Sequence, residues 1–302
     1  MKKYLLHILL FFGIVAVVDF GFGYACVWLQ IHAKGGRMKS VRQTALVQNA
    51  DIVIMGSSRA HHHYVPSIIA DSLGVSVYNA GVDGNGIVLA LGLYELMTER
   101  YTPKLIIYDV EPAFDIYVYA EDGNNTRYIG WLRPYLDNHE IKKIVCRVDP
   151  MERYKSISSM FRYNSKIVDL LKDQVVVAGY RNDGYVELRG EMKTEPNIVR
   201  KEKPGQLDTL KLNMLEEFVK RISASDTRLI MVASPQYGAI SSDAFVPIKS
   251  ICERYGIDFW DYYYFQEFQK KEFFNEPMHL NDKGARTFSE IVSQRIIQTD
   301  KQ

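Results

Sequence analysis

The chain opens on an almost unbroken apolar run from Tyr4 to Leu29, preceded by Lys2 and Lys3 and interrupted by polarity chiefly at His7 and Asp19. A secretory signal needs an apolar core of about 7–15 residues and a spanning helix about 20. This run is long, and no small-x-small cleavage site closes it, so an uncleaved signal anchor is predicted over residues 1–30. Ala25-Cys26 is placed like a lipoprotein cleavage site, but Gly23 stands where a large aliphatic residue is needed. Asp19 is costly at a bilayer centre, so it is expected to face a partner helix or to lie near the interface. Residues 31–48 are polar and read as a linker.

Beyond the linker, short apolar runs alternate with amphipathic ones. Asp51-Ile-Val-Ile-Met55 ends at Gly56 and suits a strand buried on both faces. A helix is predicted from about Val65 to Ser72, a second strand at Val75 to Tyr78, a helix from Ile87 to Arg100, and a third strand at Lys104 to Tyr108. Leu207, Leu210, Met214, Leu215, Phe218 and Ile222 share one helical face. Arg228 to Ala233 is the fourth strand, Ala244 to Tyr255 a helix, Ile257 to Trp260 the fifth strand, and Lys283 to Ile297 a closing helix. Strict alternation implies an α/β three-layer sandwich around a five-stranded parallel sheet of flavodoxin-like type. Ligands then bind at the carboxyl ends of the strands. Between about 115 and 204 the rhythm breaks into a Tyr- and Arg-rich stretch with turn signals at Asp122-Gly-Asn-Asn125 and Asn182-Asp-Gly184, read as a mostly helical insertion that caps the strand ends. Residues 49–302 thus form one domain with an insertion.

Composition adds exclusions. With 37 basic against 36 acidic residues the formal charge is +1, and no basic cluster offers an electrostatic footprint for nucleic acid. Apolar residues at 47% and charged residues at 24% are ordinary globular values. Cys26, Cys146 and Cys252 lack metal-type spacing, and they settle neither a disulfide nor a compartment.

Three segments carry candidate chemistry. Gly56-Ser57-Ser58-Arg59 closes the first strand, where a sharp turn puts the next side chains at the mouth of the sheet; a serine there is either a nucleophile or a helix cap. Glu276-Pro-Met-His279 precedes the last helix, and a carboxylate three residues before a histidine can lie beside it on one turn. Such a pair can supply the base a serine needs and the acceptor that orients the base. Asn79-Ala-Gly81-Val-Asp83-Gly84 follows the second strand, and its glycines allow close backbone approach.

Together these segments resemble the SGNH/GDSL hydrolase family, specifically its bacterial membrane-anchored members. The order agrees: Gly-x-Ser after the first strand, Asn-x-x-x-x-Gly after the second, acid-x-x-His near the C-terminus. The resemblance covers about Asp51 to Phe114 and Arg228 to Ile297. It implies an esterase or acyltransferase with Ser58 as nucleophile, His279 as base and Glu276 as its orienting acid. The oxyanion hole would be built from Ser58 and Gly84, joined by Asn79. The resemblance also places the domain outside the cytoplasm, on the periplasmic side, whereas Lys34, Arg37, Lys39 and Arg42 after the span outnumber the two lysines before it. Two departures stand out. Glu276 replaces the usual Asp, and the third strand ends in Tyr108-Asp-Val-Glu-Pro112 where the family often supplies an oxyanion asparagine, leaving Asn79, Arg59 or the insertion to compensate.

Further expectations concern binding. Arg59, His62 and Asp83 are candidates to contact substrate, Arg59 through an anionic group. Asp109 and Glu111 are read as solvated or Arg-paired carboxylates. His61-His62-His63 invites a metal, but successive helical side chains diverge by about 100°, so no metal is expected, nor any cofactor. Tyr262-Tyr-Tyr-Phe265 is read as aromatic core, with a sugar-stacking wall as the other option. The expected partner besides the membrane is an ester substrate, such as an O-acetylated envelope glycan. The alternative is a catalytically weak protein of the same fold that binds a glycan or a partner.

Overall fold

Five consecutive apolar positions in Ile52-Val-Ile-Met-Gly56 make sense only if both faces of the strand are covered, and all five are buried. A computed structural model describes residues 2–118, 125–175, 179–193 and 205–301. In it this segment is β1 (Ile52–Gly56), followed by β2 (Val77–Asn79), β3 (Leu105–Asp109), β4 (Arg228–Ala233) and β5 (Asp258–Asp261). They form one parallel sheet in the order β2-β1-β3-β4-β5. Every predicted strand is present within two residues of its expected bounds.

The alternation of side chains across the sheet feeds two apolar layers. Ile52, Ile54, Ile107, Ile230 and Val232 point to the layer holding Tyr64, Val65 and Ile69, and Phe288, Val292 and Ile296 of the closing helix Asp282–Thr299. On the other face the Tyr108 ring meets Phe218 of the helix Thr209–Ser223 at 5.2 Å, and Tyr94 of the helix Ile87–Thr98 meets the same ring at 5.6 Å. Ten of the twelve residues of Ile87–Thr98 are buried, which explains why its sequence is apolar nearly all round. Tyr262 and Phe265 belong to the first layer and Tyr263 is buried as well, so the aromatic run is core except for Tyr264, which is exposed.

The chain divides into two compact units, Gln43–Asn124 with Ala178–Gln302, and Met1–Arg42 with Asn125–Val177. The first holds the sheet. The second is built on the helix Lys2–Ile31, the one described helix long and apolar enough to cross a membrane. Its residues from Lys3 to Val18 are exposed, whereas Gly23, Cys26 and Gln30 are buried at helical spacing. Gln30 donates to the Tyr135 hydroxyl at 2.9 Å. Asp19 has found its partner: its carboxylate accepts from the Ser158 hydroxyl at 2.6 Å and from the N–H groups of Ser159 and Met160 at 2.7 and 2.9 Å, at the start of the helix Ser159–Tyr163.

Part of the expected linker is instead the helix Gly36–Leu46, because Met38, Val41 and Ala45 repeat at helical spacing and are buried. Within the expected insertion, residues 125–175 are largely helical, including His139–Val148 and Ile167–Lys172. Residues 119–124, 176–178 and 194–204 lie outside the described ones, and with them most of the first turn signal.

Candidate active site

The end of β1 dictates where Ser58 goes. Gly56 has φ +140°, and a Cβ there would run into the Asp109 carbonyl oxygen of the neighbouring strand, so only glycine allows the turn. Ser57 then caps the short helix Ser58–His63, its hydroxyl accepting from the Arg59 N–H at 3.4 Å. The two serines divide the alternatives open in the sequence. Ser57 is the cap, and Ser58 is the first helical residue with its side chain turned out.

The Ser58 hydroxyl lies 2.7 Å from Nε2 of His279. His279 Nδ1 is hydrogen-bonded to a Glu276 oxygen, while the second Glu276 oxygen accepts the Met278 N–H at 3.1 Å. A carboxylate only accepts, so Nδ1 carries the proton and Nε2 presents its lone pair to the hydroxyl. Three residues 221 positions apart in sequence at their extremes thus form one hydrogen-bonded chain. The local geometry differs from expectation, since Glu276 and His279 are not on a helical turn. They are cross-strand partners in a two-stranded antiparallel hairpin, β6 (Phe274–Glu276) and β7 (His279–Leu280), closed by Pro277 and Met278. Opposed residues of such a pair have Cβ atoms about 4.5–5.5 Å apart, which suits a longer Glu side chain.

His63, which the sequence did not single out from its triplet, holds the hairpin in place. Its Nδ1 meets the Ser234 hydroxyl at 2.8 Å, and its Nε2 accepts the Leu280 N–H at 3.1 Å. Burial, followed by the nearby Arg59 charge, pushes its pKa well below the usual imidazole range, so it is neutral. The only sequence signal was that it stands five residues after Ser58.

Arg59 is not placed to contact substrate. It is fully buried, and its guanidinium faces inward. Nε donates to the Ser234 hydroxyl at 3.2 Å, Nη1 to Glu111 at 3.3 Å and Nη2 to the Ser234 carbonyl, with Asp109 at 3.8 Å and the Tyr263 ring beneath at 5.2 Å. A buried cation takes whatever carboxylates the fold supplies, which also accounts for Asp109 and Glu111 as Arg-paired groups. Burial raises the Asp109 carboxyl to about 6, even with Arg59 pulling the other way. Asp115 has no such cation and is raised by burial to about 7, its oxygens taken by the Tyr108 hydroxyl at 2.6 Å and the Glu111 N–H at 2.7 Å.

Asn79 is likewise drawn inward. Its amide donates to the carbonyls of Ala60 and Tyr64 at 2.7 and 3.1 Å, and its oxygen accepts the Gly81 N–H at 2.9 Å. The side chain ties the loop after β2 to the serine helix and is not available as an oxyanion donor. Gly84 adopts φ +67°, a left-handed turn in that loop. Asp83 and His62 come together next to the chain of three. His62 Nε2 lies 3.2 Å from Asp83 Oδ1, His61 Nδ1 lies 2.7 Å from the same oxygen, and the His62 ring stands edge-on to His279 at 5.5 Å. The divergence expected of consecutive histidines is therefore absent, because the rings of His61 and His62 stack at 5.0 Å and both lean toward the incoming loop.

No family model and no curated protein matches the chain. Solved structures similar to it include a protein assigned to the G-D-S-L lipolytic family from Desulfitobacterium hafniense, at 10% identity over 80% of this chain and 97% of that one, with a TM-score of 0.40. A proposed acylhydrolase from Bacteroides fragilis shares 12% identity over 86% and 95%, with a TM-score of 0.41. The alpha/beta hydrolase enzyme LAE5 from the Lake Arreo metagenome shares 9% over 81% and 94%, with a TM-score of 0.41.

Proposed function

We propose that this chain is a membrane-anchored serine esterase or acyl-transfer enzyme that acts outside the cytoplasm on acyl esters of envelope glycans, O-acetyl groups in the first place. The observation that carries the reading is the chain Ser58 Oγ, His279 Nε2, His279 Nδ1, Glu276.

In this mechanism Ser58 attacks the ester carbonyl while its proton passes to His279 Nε2. Glu276 holds the tautomer that leaves Nε2 free and steadies the imidazolium that forms. The N–H of Ser58, which as the first helical residue has no intrahelical acceptor, and that of Gly84 take the oxyanion. His279 then protonates the departing alkoxide, leaving an acyl-serine. Water or a sugar hydroxyl, deprotonated by the same ring, attacks that ester and returns Ser58. With Asn79 and Arg59 both engaged elsewhere, the hole has two donors, and a missing donor costs about 2.7–4 kcal/mol of transition-state stabilisation. A slow enzyme is the consequence. The glycan substrate is inferred from the anchor and the Tyr-rich insertion. The anchor rests on the exposed apolar helix, which is long and apolar enough to cross a bilayer, and the outward placement of the domain follows the family resemblance, against the excess of basic residues after the span.

The test is hydrolysis of an aryl acetate by the full-length protein in detergent. Ser58→Ala should lower kcat/KM by on the order of 10⁴-fold or more, and Glu276→Gln by on the order of 10²-fold, less than for a buried acid because the Glu276 side chain is 44% exposed. Equal rates for wild type and Ser58→Ala would refute the reading.

A further inference from the structure

Two of the three consecutive histidines take no part in the serine chemistry. His63 is committed to Ser234 and Leu280, but His61 and His62 stand with Asp83 in a buried corner. Two ring nitrogens and a carboxylate oxygen, one ligand atom from each residue, lie within 4.8 Å of one another, an arrangement among the described residues that could hold a metal ion. His61 is 1% exposed and His62 6%, while the Asp83 side chain keeps 27% and forms the open side.

The placement of the two His62 nitrogens bears on what this corner is for. Nδ1 lies 2.8 Å from the Val186 carbonyl, which can only accept, so Nδ1 carries the hydrogen. That leaves Nε2, 3.2 Å from Asp83 Oδ1, as the ring nitrogen that meets either a proton or a metal ion. A proton on Nε2 can bridge that pair, and so can a metal ion of suitable bond length. A tetrahedral zinc ion with bonds of about 2.0–2.1 Å sets its ligands about 3.3 Å apart, the edge of the tetrahedron. The observed separation is close to that edge. His61 Nδ1, on the same oxygen at 2.7 Å, supplies a third corner after a small opening. The outer contact is built as well, since a metal-bound imidazole usually gives its other N–H to a carbonyl or carboxylate, and His62 gives its own to Val186. The loop is fixed around the site by the Asn85 amide on the Asp83 carbonyl at 2.9 Å and by the left-handed turn at Gly84.

We propose that His61 Nδ1, His62 Nε2 and the Asp83 carboxylate bind a divalent first-row cation, zinc by preference, with one position left for an oxygen ligand. Two imidazoles and a carboxylate are a donor set that zinc accepts, and calcium and magnesium, which take oxygen ligands, do not suit it. Because Asp83 directly precedes Gly84 and His62 adjoins His279, the cation borders the reacting centre. If the serine mechanism holds, it offers a substrate hydroxyl or carboxylate a fixed point beside the ester. The site itself rests on these three residues and not on that mechanism.

The test uses full-length protein in detergent, stripped of metal by a chelator and dialysed, then titrated with zinc chloride against a chromogenic chelator. One equivalent is expected, weakened more than about 10-fold in His62→Ala and in Asp83→Asn and unchanged in His139→Ala, an exposed histidine elsewhere. Ser58→Ala should bind zinc as wild type does even though it has lost turnover, which separates this proposal from the serine reading. Circular dichroism checks the fold of each variant. Cobalt(II) added to wild type should give the intense visible absorption of four-coordinate geometry, which decides the matter even if a variant does not fold. Less than stoichiometric zinc in folded wild type, affinity unchanged in folded His62→Ala and Asp83→Asn, or a cobalt spectrum like that of the aqueous ion would each overturn the proposal.

Discussion

His63 accepts the N–H of Leu280 through Nε2 at 3.1 Å, so an imidazole five residues beyond the candidate nucleophile fixes the residue next to its candidate base. The rest of the ring is spent on Ser234, and both partners are buried. His63 is therefore a positioning residue. His63→Ala should leave the buried Leu280 N–H unpaired, at a cost of about 1–3 kcal/mol, while the Ser234 hydroxyl keeps Arg59. It should also lower kcat on an aryl acetate about 10- to 100-fold with little change in KM, because His279 loses its register rather than its substrate. Gln, which can both donate and accept, should restore part of kcat. A variant with lower stability but unaltered kcat would show that the contact only holds the fold.

Arg59 separates a structural cation from a substrate contact. Arg59→Lys keeps the charge but cannot span Ser234, Glu111 and the Tyr263 face together. Breaking a buried charge network costs about 3–5 kcal/mol. The expected result is a thermal midpoint lower by roughly 6–15 °C with KM for a neutral ester unchanged. A raised KM at an unchanged midpoint would reinstate the substrate role.

Asp115 makes stability depend on pH in a direction opposite to that of a salt-bridged carboxylate. Burial raises its folded pKa to about 7, above the unfolded value, so between about pH 4 and pH 7 the folded state holds a proton that the unfolded chain has released. Its stabilising share is complete below about pH 4 and is lost as pH rises through about 7. Asp115→Asn, which keeps one acceptor oxygen and never ionises, should show a flatter dependence of the thermal midpoint between pH 5 and pH 8. Parallel curves for wild type and variant would contradict this.

Within the second unit, Asp19 ties the helix Lys2–Ile31 to the helix Ser159–Tyr163 through three hydrogen bonds at the head of the latter. Removing a helix cap costs about 0.5–2 kcal/mol. Asp19→Ala should raise amide hydrogen exchange at Ser159 to Tyr163, measured in detergent, several-fold over wild type. Unchanged exchange there would mean that the cap contributes nothing.

The strands and helices of the sheet unit were legible because each is short, apolar on the faces it buries and punctuated by glycine or proline. The topology then brings Ser58, Gly84 and the C-terminal loop to the same edge, as parallel α/β sheets do. What the sequence left hidden were pairings over long separations. Nothing in Arg59 announces that Ser234 and Glu111 will enclose it, and nothing in Asn79 announces that its amide will go to Ala60 and Tyr64. Glu276 and His279 were correctly set side by side, but on the wrong local structure, because a spacing of three serves a helical turn and a two-residue hairpin alike. His61 and His62 were expected to diverge by a rule for ideal helices. A six-residue helix with its rings stacked against an incoming loop does not obey it.

The central claim is that Ser58 is a nucleophile driven by His279, and covalent capture tests it most directly. Folded full-length protein treated with a fluorophosphonate and analysed by peptide mass spectrometry should carry one phosphonyl adduct on the peptide containing Ser58. The adduct should be absent in Ser58→Ala and should form far more slowly in His279→Ala. Folded wild type that takes up no adduct, or an adduct that persists in Ser58→Ala, would contradict the account.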